Sequence, residues 1–295
     1  MVALTDTSLD NALYYLIRES SPIQKGWGFY ALNPSHHRNM IVGIPHPEFD
    51  SFTTQEGVNM FRYLGGRMLA MAGTHRCAND QAAISDGTTT ACSSTNTSED
   101  FKVSDMAHFD STAFQIAHES IFDLTSTVYA INLHGHANGN CEDVFLSNGR
   151  EDDPKTSLQT VRDSLISYGV DAAMTGDGST CPLIGSTNVQ GRFINGSSNP
   201  ADDPPASNTG FFFHVEQSSS IRRSLNGYSP VIEAFGELIT DENQGTSLTD
   251  LPTLVFNEIH AHPTADANNN GTVQTVSDEF IEIVNTGAAQ LNISE

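Results

Sequence analysis

A chain of 295 residues with 38% hydrophobic content has enough apolar material to bury a domain-sized core, which excludes a disordered protein. Its formal net charge of -23, from 13 Lys and Arg against 36 Asp and Glu, leaves no cationic surface for phosphates and excludes a nucleic-acid partner. No apolar run approaches the roughly 18 residues that cross a bilayer, and the excess acid suits solubility in a salty or extracellular medium.

The first twenty residues lack the basic stretch and small-residue cleavage site of an export signal. Four cysteines and an abundance of Asn, Ser and Thr with few Lys nonetheless point to a secreted or periplasmic protein. The sequential pairing, Cys77 with Cys92 and Cys141 with Cys181, is the natural one.

In chain order, apolar residues at 9, 12, 13, 16 and 17 predict an N-terminal helix over 9–18. Residues 26–31 read as an edge strand, followed by a turn at Asn33, Pro34 and Ser35. The run from Val42 ends in His46 and Asp50, where an α/β sheet presents its ligand-binding strand ends. A helix capped near Thr53 or Thr54 and stopped by Gly65 and Gly66 leads to a second buried strand, 67–72. That order predicts a parallel pair. Residues 84–102 show no period and read as a loop; 111–124 is helical, and 128–133 is a strand that stops at His134 and His136. Helices over 154–170 and 228–238 flank a short strand starting near Ala172 and a strongly β-prone strand, 211–216, that ends in Glu216.

The fold class expected is a three-layer α/β domain with a mixed, mostly parallel sheet over residues 1–240. Residues 241–252 have the composition of a linker, and 253–295 turn purely β in character.

Two buried strands that end in histidine are an economical way to hold a metal. His46, Asp50 and His134 match the three-ligand pattern of catalytic zinc, which leaves a fourth position open. Glu48 and Glu56 lie within reach of the same loop as Asp50, and His136 is an alternative to His134. Glu216, a lone acid in an apolar strand, is placed to act as a general base, because burying a carboxylate is otherwise expensive. The bland alternative is an inward-pointing charge on an edge strand. Arg76, whose planar fork matches two carboxylate oxygens, reads as a substrate clamp, with Asn79 and His108 beside it. Arg192 and Asn195 are further candidates for orienting substrate, whereas Arg222 and Arg223 read equally as ion-paired surface.

These residues carry a resemblance. PHPEFDSFTTQEG, a strand into THRCAN, the strand LHGH and FFFHVEQSSSIRRSLNGYSPVIEAF resemble the zinc carboxypeptidase superfamily over about residues 40–240, nearest its poly-gamma-glutamate hydrolase and N-formylglutamate amidohydrolase branch. The resemblance implies a phosphorylase/hydrolase-like fold and a strand-end His and carboxylate that join a later His in an LHG turn. It also implies a closing strand echoed by Glu216, Tyr228, Pro230 and Glu233. The usual His-x-x-Glu spacing is missing, since position 49 is Phe. The implied activity is zinc-dependent cleavage of an amide or peptide bond next to a carboxylate in a small peptide-like or acyl-amino-acid substrate. A degenerate binding protein and a two-metal phosphatase or phosphodiesterase are the alternatives. The segment LVFNEIHAHPTADANNNGTVQTVSDEFIEIVNTGAAQLNIS resembles the start of a bacterial lamin-tail domain through Asn257, Glu258, Glu279, Phe280, Glu282, Asn285 and Gly287. That implies a truncated immunoglobulin-like β sandwich that would mediate extracellular attachment.

Overall fold

The structure is a computed structural model that describes residues 2–6, 12–19, 25–124, 127–240, 254–260 and 280–285. Strands β1 (Val2–Asp6), β2 (Ala12–Arg18), β3 (Phe29–Leu32) and β4 (Arg38–Ile44) precede α1 (Thr53–Tyr63) and β5 (Gly66–Met71). Two short strands, β6 (Thr88–Thr89) and β7 (Glu99–Asp100), lead to α2 (Ala113–Leu124), β8 (Tyr129–His136), β9 (Val144–Ser147) and α3 (Thr156–Ser167). Then come β10 (Ala172–Met174), α4 (Val189–Ile194), β11 (Phe212–Ser218), α5 (Ser219–Arg222) and α6 (Leu225–Leu238).

Nine strands form one mixed sheet in the order β1-β2-β3-β5-β4-β8-β11-β9-β10. The four central strands β5, β4, β8 and β11 are mutually parallel, as a strand-helix-strand order requires. Strand alternation decides which helices each face receives. Val42, Leu69, Ile131, Leu133, Phe213 and Val215 meet apolar residues of α1, α3 and α6, such as Phe61, Leu165 and Phe235. On the opposite face Ile41 and Met68 pack on Phe114 and Ile121 of α2, while Ala130 and Phe212 pack on Ile194 of α4. The result is the three-layer arrangement expected, with its parallel centre buried on both sides.

The N-terminal helix is corrected: residues Ala12–Arg18 are a strand between β1 and β3. Tyr14 is buried and Ala12 and Leu16 pack on the core, whereas Leu13 and Ile17 are exposed, a period of two. The apolar positions fit both periods, and pairing with β3 selects the extended one. Strand β3 is likewise interior to the sheet, between β2 and β5, and not an edge. Strand β9 and helix α4 were not anticipated; both are too short to show a period. Both disulfides have the sequential pairing, and Cys77–Cys92 closes a loop that contains β6, which pairs with β7 just beyond it.

Strands β12 (Leu254–His260) and β13 (Phe280–Asn285) form a separate antiparallel pair. The rest of the proposed linker and lamin-tail-like segment lies outside the described residues. Among the described residues no helix is long and apolar enough to cross a membrane.

Candidate metal centre

The parallel centre puts polar side chains at neighbouring strand ends. In the β8–β11 register Glu216 lies directly across from His134, and His214 across from Asn132. Alternation then turns His134, His214 and Glu216 to the α2/α4 face, because Leu133 and Val215 between them point into the other core. Strand β4 ends two residues before His46, and a turn with Asp50 N donating to His46 O at 2.8 Å brings Asp50 back toward it. Phe52 holds φ +75°, a left-handed conformation that a bulky side chain rarely adopts, and Thr53 Oγ1 donates to Asp50 O at 2.8 Å. The loop that carries Asp50 is thus fixed at both ends.

One carboxylate oxygen is the hub. Asp50 Oδ2 lies 3.3 Å from His46 Nδ1 and 3.4 Å from His134 Nδ1, and all three residues are at most 4% exposed. These separations are long for hydrogen bonds between charged groups, which run to about 2.7–2.9 Å. They equal the edge of a tetrahedron whose centre-to-donor bonds are ~2.0–2.1 Å, an edge of about 3.3 Å, as around zinc. The other nitrogen of His46, Nε2, donates to Asp105 Oδ1 at 2.8 Å, a contact that fixes the ring's tautomer. Asp105 is held in turn by Arg76, through Nε at 2.9 Å and a terminal nitrogen at 2.6 Å, and by His108 Nδ1 at 3.0 Å.

A second set adjoins the first. His134 and His214 have ring centroids 4.4 Å apart, and His214 Nε2 lies 3.7 Å from Glu216 Oε1. His134 Nε2, His214 Nδ1 and Glu216 Oε2 are buried without a hydrogen-bond partner. Native interiors seldom leave such atoms unpaired, so three together mark a place for a ligand. Donor atoms of three overlapping groups lie close enough to share an ion: His46, Asp50 and His134; His46, Asp105 and His108; His134, His214 and Glu216.

Electrostatics suit a cation. Burial pushes His134 down to about 4, which keeps its ring neutral at pH 7. Burial also pushes His214 well below its ordinary value, with the neighbouring His134 adding to the effect. Burial would raise Asp50, but hydrogen bonds from His134 and His46 hold it well below the carboxylate range. At His46 burial works downward, yet Asp105 and Asp50 outweigh it and raise the ring. Burial, together with the charge of Asp50, lifts Glu216 to about 8.

The structure therefore brings His46, Asp50, His134 and Glu216 to one place. Of the alternatives for the carboxylate, Glu48 is exposed and Glu56 faces α1's own side of the sheet, where it accepts from Gln217 Nε2 at 2.9 Å. His136 belongs to none of the three donor groups. Arg76 is committed to Asp105, and His108 stacks on Phe101 at 3.7 Å while bonding Asp105. Asn79 is exposed, its side-chain oxygen accepting from Gln81 N. Arg192 is buried, forked onto Asp86 at 2.6 and 3.0 Å and onto the carbonyls of Ser186, Pro200 and Ala201. Asn195 joins Asn148 O to Thr209. These two hold loops together.

Sequence reasoning missed Asp105 and His214. The second was within reach, since His214 lies two residues before Glu216 and so shares its face. Asp105 sits 59 residues from His46 in a segment without periodicity, and nothing in the sequence announces it.

No family model and no curated protein sequence matches the chain. Among solved structures the chain is similar to a bacteriophage poly-gamma-glutamate hydrolase, at 16% identity and a TM-score of 0.39, covering 76% of this chain and 88% of that one. It is also similar to an N-formylglutamate amidohydrolase from Ralstonia eutropha JMP134, at 13% identity and a TM-score of 0.40, over 71% and 94% of the two chains. A gene product of Agrobacterium tumefaciens gives 7% identity and a TM-score of 0.43 over 69% and 88%.

Proposed function

We propose that the protein is a metal-dependent hydrolase that cleaves an amide or peptide bond next to a carboxylate, and that His46, Asp50 and His134 hold a zinc ion. The observation that carries this reading is the convergence of two imidazole nitrogens on one Asp50 oxygen at 3.3 and 3.4 Å, with Asp105 fixing His46 from behind. Two nitrogens and a carboxylate oxygen in a tetrahedral edge arrangement are the donor set and spacing of catalytic zinc. Bound there, zinc supplies Lewis acidity toward a carbonyl and lowers the pKa of water.

The chain's own residues supply the rest. Asp105 keeps a proton on His46 Nε2, so that Nδ1 presents its lone pair. Glu216, lifted to about 8 by burial, has one oxygen without a protein partner beside His134. It takes a proton from the attacking water and returns it to the leaving amine, a role that favours a group poised near neutral pH. Arg76 and His108 act at one remove, by fixing Asp105. We further propose a secreted or periplasmic location, which the two disulfides support, and attachment through the C-terminal β segment.

A second reading has one observation in its favour. His134, His214 and Glu216 also converge, and a second cation there would use Glu216 as a ligand, which turns the site toward phosphoester chemistry. Metal analysis separates the two. Purified protein should carry one zinc per chain, lost in His46→Ala and His134→Ala, and should release amine from N-acyl amino acids. Two metals per chain would favour the phosphoesterase, and the absence of stoichiometric metal would leave a non-catalytic binding protein.

A further inference from the structure

Three amide side chains, Asn132 on β8, Gln115 on α2 and Gln190 on α4, are fully buried where the sheet meets these two helices. Their orientation is fixed by a backbone carbonyl. Met106 O can only accept, so the Gln190 atom 2.9 Å from it is Nε2. The second hydrogen of that nitrogen goes to Gln115 Oε1 at 3.0 Å, and Gln115 Nε2 donates in turn to Glu119 Oε1 at 3.0 Å. Gln190 Oε1 is left to accept from Asn132 Nδ2 at 3.1 Å. Both ends of Gln190 are therefore paired. An apolar side chain would fill the same space without the cost of desolvating an amide, so the hydrogen bonds themselves call for an explanation.

What these bonds connect supplies one. Met106 and Ala107 directly follow Asp105, in a stretch, 103–112, that forms no helix or strand and so depends on tertiary contacts for its position. The start of α4 grips that stretch twice: Gln190 Nε2 holds Met106 O, and Val189 N donates to Ala107 O at 2.9 Å. Ala107 N then donates to Asp105 Oδ1 at 3.2 Å, the same oxygen that accepts from His46 Nε2. At its other end Gln190 holds Asn132, which precedes His134 by two residues on β8 and turns to the same face. One side chain thus joins the loop that orients His46 to the strand that carries His134.

We propose that Gln190 is a positioning residue for the candidate metal centre: it sets the Asp105 loop, and through Asp105 the ring of His46, against the strand end at His134. The proposal rests on the reading of His46, Asp50 and His134 as a metal site. Its effect on the metal passes through Asp105. The task needs a donor toward Met106 O and an acceptor toward Asn132 at once, which an amide supplies. Methionine offers neither in useful strength, and an ionised carboxylate offers only the acceptor.

The test measures zinc affinity of the full-length chain by competition against a chelator, in wild type, Gln190→Met, Asp105→Asn and the double variant. Gln190→Met should weaken zinc by roughly tenfold, the lower end of the range for groups that support a metal ligand from outside. The double variant should bind no more weakly than Asp105→Asn alone, because residues that act through one another are not additive. Additive losses, or wild-type affinity in Gln190→Met, would overturn the proposal. Gln190→Glu keeps the shape and the acceptor toward Asn132; it is the milder replacement if methionine prevents folding, and its loss should likewise vanish in the Asp105→Asn background. Arg192→Met, whose partners include none of residues 105–107, controls for general loosening. It should leave zinc affinity unchanged, and an equal weakening there would overturn the proposal too. Proton NMR of the metal-free protein gives a readout independent of zinc. The Nε2 proton of His46, bonded to Asp105, should exchange slowly in wild type and faster in Gln190→Met. Unchanged exchange would overturn the proposal. If wild type binds no zinc while that proton responds to Gln190→Met, the metal-centre reading fails and the positioning role stands.

Discussion

Glu216 and Glu56 lie on opposite faces of the same sheet, and burial lifts each of them to about 8. Their surroundings differ. Glu56 is fully buried with Oε2 accepting from Gln217 Nε2, while Glu56 Oε1 and Gln217 Oε1 are both unpaired. A single proton on Glu56 Oε1, donated to Gln217 Oε1, closes an acid–amide pair and satisfies both atoms. Glu216 has no such partner: Oε2 is buried and unpaired, and Oε1 lies 3.7 Å from His214 Nε2. A raised pKa by itself therefore identifies a buried acid, and the missing partner identifies the one available for chemistry.

Replacing each acid by its amide tests that distinction most severely. Glu216→Gln should lower kcat by about 10²–10⁴-fold while metal content stays at the wild-type level, as expected when a general base is removed. Glu56→Gln should keep kcat within a few-fold, since an amide can pair with Gln217 as the protonated acid does. Steady-state rates on one substrate decide it: equal losses in both variants would erase the distinction.

The outer carboxylate gives a smaller effect. Asp105→Asn removes the charge that orients His46 Nε2 and should weaken metal affinity by roughly 10–100-fold. Competition against a chelator measures this directly, and an unchanged affinity would show that His46 is positioned without Asp105. The binding histidine must also shed its proton, so metal affinity should fall as pH drops.

Stability against pH sharpens the Glu56 side of the comparison. Its folded pKa of about 8 exceeds its ordinary value of 4.5, so between these limits the folded state holds more protons than the unfolded one. Stability from this group is therefore fully present below the lower value and declines as pH rises toward 8. The ceiling is roughly 5 kcal/mol, from about 1.4 kcal/mol per pKa unit. Urea unfolding of Glu56→Gln from pH 5 to 9 should show a shallower decline than wild type, and parallel curves would place the proton elsewhere.

How much of this was readable in the sequence depended on whether a residue's neighbours are local. The strand ends at His46 and His134 follow from apolar runs that stop at a histidine, and the disulfides join cysteines that are consecutive in the chain, as the sequential pairing has it. Residues 12–18 failed because a seven-residue apolar stretch fits both periods until β3 pairs with it. The arginines show the remaining limit. Sequence displays a cation at 76 and 192 alike, while the partner that decides its role, Asp105 or Asp86, comes from a distant segment.

Arg192 provides the mildest test, because its partners are structural. Its fork holds Asp86, which is about half exposed, and three loop carbonyls, so Arg192→Met should destabilise the fold by about 2 kcal/mol, the scale of hydrogen bonds to a charged group. KM should stay within two- to threefold of wild type for both a free-acid N-acyl amino acid and its amide-capped analogue. Lower Tm with unchanged KM is the pattern expected of an arginine that holds loops together. A selective rise in KM for the free acid in Arg192→Met would return Arg192 to the substrate side, and the rule that a paired interior arginine is structural would fail in this molecule.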